Sequence, residues 1–346
     1  GGGRVAVCYN SLSFPSQNIL AHGGVPINFS GSKQRGGAGT IYLKDNAQAN
    51  GQIIIDNQSL VHNSFTPYLS DLNQTPTLHL KGYGQFVIPG GKVLQLDAID
   101  SSIFELGTAL WIAENGRIDL NSQTVAIENG TLIKDGKLGA QDQIDSLIIE
   151  SEGVLTHSVR HLSGLKLTVV ERLEIKAGGI IDVSAKGLLG GNIGSNSIGE
   201  TYDQNGQVVL GVCNIGSYLG CGASYGGLGT PTSSGGDPNP VYGYKYYPDY
   251  LGSGGGGGGY SACLGGNGGG RVTLNTGNAI IDGNVHANGG DAPNPGCAGG
   301  GGSGGSILIF AEAISGNGYI KTQGGIGRCL SGCSEYGGDG GGGRVA

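Results

Sequence analysis

The sequence predicts an all-β protein folded as a right-handed parallel β-helix, or β-solenoid, with glycine-rich loops and open ends. Three observations predict this fold: many short β-branched segments, few apolar residues at helical spacing, and a unit that recurs about every 36 residues. In a solenoid the rest of each coil serves as the crossover between parallel strands, so no connecting helix is required. An antiparallel sandwich or jelly roll is the alternative.

The glycine content separates this chain from ordinary globular proteins. Glycine supplies 74 of the 346 residues, about three times the usual share. The glycines form irregular clusters and proline numbers only 11, which excludes collagen. Hydrophobic residues make up 37% of the chain, which excludes a wholly disordered protein. We therefore expect a hydrophobic core built from many short strands.

The charge of the chain limits its partners. The net charge is −7 and no run of basic residues is present, so neither nucleic acid nor an anionic membrane surface is an expected partner. No apolar stretch reaches the ~18–20 residues that span a bilayer, so we expect no membrane insertion. No cofactor motif is present, and no cofactor is expected. Because the chain has no Met, we expect it to be part of something longer.

Short apolar segments bounded by Gly, Asn, Asp or Ser mark the expected strands. In the central part of the chain they recur at spacings of about 10 to 25 residues. The clearest segments are residues 53–55, 78–80, 87–88, 93–96, 117–120, 132–133, 147–149, 167–170, 173–175 and 307–309.

A repeated motif joins the two ends of the sequence. Residues 1–6 (GGGRVA) recur unchanged as residues 341–346, and related units begin at Gly37, Gly268 and Gly304. A solenoid without capping segments has unpaired backbone groups at both ends. We therefore expect the chain to associate with itself head-to-tail or as a tandem repeat. The expected assembly ends are Gly3, Arg4, Val5, Gly343, Arg344 and Val345.

Glycine and tyrosine divide the chain into three expected regions. Residues 1–185 form solenoid coils, residues 186–270 form a Gly/Tyr-rich loop insertion with disulfides, and residues 271–346 form coils that continue into a repeat of residue 1. The glycine runs 254–259 and 299–305 are expected to pack against one another as extended, polyproline-II-like strands. A flexible linker is the alternative for residues 254–259.

The seven cysteines match neither zinc-binding nor redox motifs. We expect disulfides of an oxidising compartment, with Cys213–Cys221 and Cys329–Cys333 as plausible local pairs. The odd number leaves one thiol, most naturally Cys8, free or paired with another molecule. The disulfide candidates are Cys213, Cys221, Cys263, Cys297, Cys329 and Cys333.

A tyrosine cluster around Pro248 is the candidate ligand-binding site. Aromatic faces stack on sugars, so a cell-surface glycan is a candidate partner. Packing of the rings onto the glycine-rich segments is the favoured interpretation. The cluster comprises Tyr242, Tyr244, Tyr246, Tyr247 and Tyr250.

Parallel β-helices also include polysaccharide-degrading enzymes, so carboxylate pairs need to be considered. Asp97 with Asp100, and Asp142 with Asp145, are candidates, but residues three apart on a strand point to opposite faces. We expect these to be solvated turn residues and the protein not to be an enzyme. His157 and His161 would share one strand face, yet no third metal ligand is near, so exposed surface histidines are expected.

A series of glycine-rich segments marks a family resemblance. It includes residues 173–190 (LEIKAGGIIDVSAKGLLG), 268–274 (GGGRVTL), 281–290 (IDGNVHANGG) and 299–325. In this order they resemble the Gly-rich module of very large secreted, adhesin-like surface proteins described as β-helical. The resemblance implies extracellular display and a binding or scaffolding role, and supplies no catalytic residues.

Three functions remain open from the sequence. The preferred hypothesis is a structural subunit or repeat of an extracellular filament that assembles head-to-tail through open solenoid ends. The second is an adhesin stalk or tip that binds glycans. The third is a polysaccharide-degrading enzyme.

Overall fold

The computed structural model describes residues 1–25, 35–69, 75–193, 197–210, 220–232, 236–258, 263–293, 298–328 and 336–346. These residues form strands, turns and extended segments, and they include no α-helix. Two short 3-10 turns lie at Ser16–Asn18 and Ser101–Ile103.

The strands are short, as the brief apolar segments predict. In chain order they are β1 (Arg4–Tyr9), β2 (Thr40–Asp45), β3 (Gln52–Asp56), β4 (Thr66–Pro67), β5 (Thr77–Lys81), β6 (Gln85–Ile88), β7 (Val93–Leu96), β8 (Thr108–Ile112), β9 (Arg117–Leu120), β10 (Thr124–Ile127), β11 (Gly130–Lys134), β12 (Lys137–Leu138), β13 (Gln143–Ile149), β14 (Val154–Thr156), β15 (Leu165–Ile175), β16 (Ile180–Asp182), β17 (Glu200–Tyr202), β18 (Val208–Leu210), β19 (Arg271–Ile281), β20 (Asn284–His286), β21 (Ser306–Ser315), β22 (Tyr319–Lys321) and β23 (Arg344–Val345).

Two large parallel sheets organise the molecule. One has eight strands in the order β22-β20-β16-β14-β11-β8-β6-β4, and the other has six in the order β10-β13-β15-β19-β21-β23. A third sheet, β12-β9-β7, is also parallel. In each of these sheets, neighbouring strands follow one another in chain order. Successive passages of the chain therefore add strands to the growing edges of the two large sheets, and in the described residues the third sheet receives no strand after β12.

The central strands show how the sheets are connected. The chain passes from β8 through β9 to β10, visiting the three parallel sheets in turn, and repeats the same path through β11, β12 and β13. Alternate residues of these strands point inward, which explains the alternating burial along β9 and β11. The inward side chains form one hydrophobic core, which includes the fully buried Leu110, Ile118, Val125, Leu132, Leu138 and Leu147.

The N-terminal region is built differently. Strands β1, β2, β3 and β5 form a four-stranded sheet in which β2 and β3 pair antiparallel, while the other neighbours are parallel. One face of this sheet packs a small separate cluster formed by Ala21, Ile41 and Leu43, with Val5 and Val7 only partly covered. A second hydrophobic cluster therefore lies next to strand β1.

The glycine-rich segments pack against one another through their backbones. Along residues 300–305 the hydrogen-bond partner changes with every residue and returns after three. The N–H groups of Gly300 and Ser303 donate to residues 256 and 253, those of Gly301 and Gly304 to residues 338 and 341, and those of Gly302 and Gly305 to residues 290 and 287. A chain with three residues per turn produces this pattern. Residues 299–305 therefore sit among three neighbouring segments, as expected for polyproline-II-like packing.

Glycine is required by this packing because the backbones approach closely. A Cβ atom built at Gly302 would lie well inside 3.0 Å of the Asn267 carbonyl, and one at Gly255 would meet Gly300 in the same way. None of the glycines at 299–305 has a positive φ. Glycine is required at these positions because there is no room for a Cβ atom, and not because the backbone adopts a positive φ.

Most of the fold prediction is confirmed at the level of strands and pairing. The chain is all-β, and among the strand pairs of the described ranges only β2–β3 and β17–β18 are antiparallel. The alternative of an antiparallel sandwich is therefore wrong. Residues 183–270 carry only the β17–β18 hairpin among their described parts. Backbone packing of glycines also involves described residues between 287 and 343, including the run 299–305. Handedness and closure of the coils into a solenoid stay predictions.

Candidate assembly surface and tyrosine cluster

The recurring Gly-Arg-Val motif occupies equivalent positions on neighbouring strands. Arg271 of β19 lies opposite Ser306 of β21, and Ser306 lies opposite Arg344 of β23. At the other end, Arg4 of β1 lies opposite Thr40 of β2. Near the two ends of the chain, the sequence period of about 36 residues is therefore the separation in sequence of these paired parallel strands.

The edge strand β21 is only partly covered. Strand β23 pairs with Ser306 and Ile307, whereas β21 continues to Ser315. Beyond the paired residues, Phe310 is 45% exposed and Ile314 is 55% exposed. Within the described residues, the far edge of β21 from Phe310 onward has no partner strand.

Strand β1 provides the matching edge at the other end of the chain. In the described parts of the chain it pairs with β2 only. Its even-numbered residues Arg4, Ala6 and Cys8 are exposed, and an apolar cavity of about 310 Å³ opens beside it. The predicted assembly residues thus lie on, or directly before, two edge strands: β1 of the mixed N-terminal sheet and β23 of the parallel six-stranded sheet.

The structure divides the predicted tyrosine cluster in two. Tyr242 and Tyr250 point inward and join Tyr202 and Tyr225, which the sequence analysis missed. Ring centroids are 4.8 Å apart for Tyr225–Tyr242 and for Tyr202–Tyr250. Tyr225 is fully buried, and its hydroxyl lies 2.7 Å from the Ser306 hydroxyl.

The inner tyrosines are structural groups. Burial raises the pKa of Tyr202 to about 12 and raises the pKa of Tyr242 well above its usual value. The Tyr242 hydroxyl donates to the Leu251 carbonyl and accepts from the Ser253 hydroxyl. This hydrogen-bonded phenol attaches the 241–250 loop to Leu251 and Ser253.

Arg344, the first residue of β23, contacts this tyrosine cluster. Its guanidinium carbon lies 5.4 Å from the centroid of the Tyr225 ring, a cation–π distance. The same guanidinium donates to the Tyr242 carbonyl at 3.1 Å. The Arg of the repeated motif therefore has a dedicated place against the buried tyrosines.

The outer tyrosines face solvent. Tyr244, Tyr246 and Tyr247 are 73%, 70% and 63% exposed. The Tyr247 ring lies 6.4 Å from that of Phe310 on β21, and the Lys245 ammonium lies over Tyr246. Only these three of the five predicted tyrosines are available to a ligand.

The cysteine prediction can be followed at three positions. Cys8 is exposed and free. Cys221 and Cys263 are buried, and their sulfurs are bonded as disulfides, so neither titrates. Cys213, Cys297, Cys329 and Cys333 lie outside the described residues, and the predicted pairs Cys213–Cys221 and Cys329–Cys333 stay predictions.

Three of the four candidate carboxylates, Asp97, Asp100 and Asp142, make local structural contacts, and Asp145 is exposed. Asp97 accepts from the Asn121 amide, and Asp100 caps a 3-10 turn by accepting the Ser102 N–H. Asp142 forms an ion pair with the buried Lys134 at 2.8 Å. Over the described ranges, no group of three potential metal ligands converges.

The prediction that His157 is exposed is wrong. Residues 157–164 form the connection between β14 and β15, not a strand, and this turn places His157 inside the molecule with 0% exposure. Its Nδ1 lies 2.7 Å from the Ser158 carbonyl, and its Nε2 accepts the Arg271 N–H at 3.2 Å. Desolvation lowers its pKa to about 4. The His161 ring is 6.1 Å away.

Comparison with known proteins identifies no relative. No family model matches the chain, and no match was found among curated proteins or solved structures. Over the described residues, no helix is long and apolar enough to span a membrane. The resemblance to the Gly-rich module of secreted adhesin-like proteins therefore stays a prediction.

Proposed function

We propose that the protein is a structural subunit of an extracellular filament, in which β-solenoid coils of successive copies join head-to-tail. The observation that carries the proposal is the pair of edge strands: residues 344–346 cover β21 only as far as Ile309, and β1 pairs along one edge. Exposed strand edges are templates for pairing with another chain. A contact between two different surfaces that does not close on itself produces a filament.

The interior of the molecule supports a mechanical role. The two large parallel sheets gain strands with successive passages of the chain, so a further copy could extend the same two sheets. The disulfide-bonded Cys221 and Cys263 favour an oxidising, extracellular setting. The buried tyrosines are held as neutral phenols, and Asp97, Asp100 and Asp142 are engaged in local contacts. Both observations favour a structural role for these side chains over a catalytic one.

Sedimentation velocity across a concentration series, together with negative-stain electron microscopy, tests this function. We expect species that lengthen with protein concentration and appear as unbranched rods with a regular axial repeat. A chain that remains a monomer at the highest concentrations would contradict the proposal.

Glycan binding is the second candidate, favoured by the three exposed tyrosines at 244, 246 and 247. A glycan array separates the two functions. Binding that is lost in Tyr244→Ala and Tyr247→Ala, in a chain that stays monomeric, would favour the adhesin role.

A further inference from the structure

Residues 341–346 pack in this chain where the same six residues of another copy would fit. We infer that strand β1 of a second copy replaces residues 341–346 and pairs with β21, with Arg4 opposite Ser306 and Val5 opposite Ile307. This inference rests on the proposed function and names the partner and the register of the junction. The partner is a second copy of this chain. We call residues 1–3 the opening triplet and residues 341–343 the closing triplet.

The backbone groups of the two triplets are used in complementary ways. Within the described residues, the opening triplet uses the N–H of its second glycine and the carbonyl of its third. The closing triplet uses the remaining four groups. If a single triplet made the contacts of both the opening and the closing triplet, all six of its backbone N–H and C=O groups would have partners. No group would be needed by both sets of contacts. The bonds are Gly2 N–H to Gly37 O (2.9 Å), Thr40 N–H to Gly3 O (3.2 Å), Gly341 N–H to Ala223 O (2.8 Å), Gly304 N–H to Gly341 O (2.9 Å), Gly226 N–H and Gly227 N–H to Gly342 O (3.0 and 2.9 Å), and Gly343 N–H to Thr322 O (2.7 Å).

The strand that follows each triplet shows the same division. Arg344 N–H donates to Gly305 O, and Ala346 exchanges bonds with Ile307 and Ile309 of β21. In β1, the carbonyls of Gly3 and Tyr9 accept from β2 and the residue after it. The backbone groups of consecutive residues in a strand point to opposite sides. The groups of residues 344 and 346, which correspond to residues 4 and 6, therefore face β21, while the carbonyls of residues 3 and 9 face β2. A single strand can therefore bond to both neighbours.

The space around the glycines gives an independent observation. A Cβ atom at Gly3 would meet nothing within 4 Å, and one at Gly1 would have its nearest neighbour at 3.6 Å. At the equivalent positions, Gly343 and Gly341, a Cβ atom would lie inside 3.0 Å of the Gly305 and Gly227 carbonyls. Gly2 is blocked by the Ala21 carbonyl. The isolated chain thus leaves room for a side chain at positions 1 and 3, whereas the junction requires glycine at all three.

The exchange enlarges the paired surface. Strand β23 and Ala346 cover β21 only as far as Ile309, whereas the six residues of β1, Arg4–Tyr9, would cover residues 306–311 in the same register. Arg4 would take the place of Arg344 against the Tyr225 ring, where the guanidinium now lies 5.4 Å from the ring centroid. The incoming strand therefore reproduces the contacts of the closing hexapeptide and adds new ones.

Two alanine variants test the junction. Gly3→Ala is expected to melt at the wild-type temperature, because its methyl group enters open space, but to assemble only at tenfold or higher protein concentration. Gly342→Ala is the matched control: its methyl group has its nearest neighbour at 3.7 Å, the Thr322 carbonyl, and it belongs to the displaced segment. It is expected to assemble like the wild type. Wild-type assembly by Gly3→Ala would overturn the inference.

A cysteine pair tests the register. In the proposed junction Cys8 of the second copy lies opposite Phe310, so Phe310→Cys is expected to give a disulfide-linked ladder on a non-reducing gel. Ile314→Cys is similarly exposed but lies beyond the end of β1, and it should give no ladder. Filaments of the Phe310→Cys variant that show no ladder would overturn the register while leaving the filament function intact. Failure of the wild type to assemble would overturn both.

Discussion

Single glycines determine how closely the segments of this molecule can approach. In the packed region between residues 287 and 343, glycine serves because a side chain would strike a neighbouring carbonyl, as at Gly302 and Gly340. Each N–H in residues 300–305 finds a carbonyl on another segment. These bonds replace the hydrogen bonds of a regular sheet. The backbone N–H groups of this glycine-rich region therefore still have partners within the protein.

His157 is the residue whose protonation should matter most for stability. Its folded-state pKa of about 4 lies below the ordinary value of 6.5 because burial disfavours the charged ring. The folded state therefore keeps His157 neutral, while the unfolded chain takes up a proton below pH 6.5. Its contribution to stability is present above pH 6.5 and is lost as the pH falls toward 4. The loss should be on the order of 3 kcal/mol.

Urea unfolding at pH 7 and pH 4.5 measures this loss. His157→Gln removes the titrating group, so the difference in unfolding free energy between the two pH values should shrink relative to the wild type. An unchanged pH dependence in this variant would show that other groups are responsible. Because Nε2 of His157 accepts from the first residue of β19, protonation should loosen the start of that strand.

At the scale of elements, the parallel sheets depend on the connections that bring the chain to the next strand. The connection from β12 to β13 passes Asp142, whose φ of 57° is unusual for a non-glycine residue. Asp142 accepts the Leu138 N–H and binds the Lys134 ammonium, which is 3% exposed. Burial lowers the pKa of Lys134, and Asp142 opposes this shift.

Breaking this buried pair from its two sides should give different results. Asp142→Asn leaves the Lys134 ammonium buried without its counter-ion and should destabilise the fold by ~3 kcal/mol. Lys134→Met removes the charge and keeps most of the volume, so its cost should be within ~1 kcal/mol. Chemical denaturation of both variants measures the difference. Equal losses of stability in the two variants would show that the ion pair itself stabilises the fold, and that the cost of Asp142→Asn does not come from leaving the buried Lys134 ammonium unpaired.

At the scale of the whole molecule, self-association works against electrostatic repulsion. Each copy carries a net charge of −7, and like-charged copies repel over roughly 10 Å at ~0.1 M salt and further at lower salt. The proposed junction is formed mainly by backbone groups and apolar side chains, which salt does not weaken. Head-to-tail association should therefore increase with ionic strength.

A salt titration followed by light scattering or sedimentation checks this expectation. Raising NaCl from ~10 mM to ~150 mM should lower the concentration at which assembly begins. Sucrose at equal osmolality serves as the control, since it leaves the charges unscreened. Assembly that weakens with salt would indicate that ion pairs between copies hold the filament instead.

The sequence by itself determined the strands and their neighbours. Short apolar segments such as residues 117–120 and 147–149 form β9 and the end of β13. Segments rich in β-branched residues and bounded by turn residues strongly prefer the strand conformation. The motif at residues 1–6 and 341–346 marked β1 and β23, each of which lies at an edge of its own sheet.

Only the tertiary structure decided which side chains are available. His157 became buried and Tyr242 and Tyr250 became structural because segments distant in sequence, such as β19 and residues 223–227, pack over them. Burial depends on such long-range contacts, which local spacing does not encode. The complementary use of the opening and closing triplets was likewise invisible in the sequence, since identical letters say nothing about which of their backbone groups already have partners.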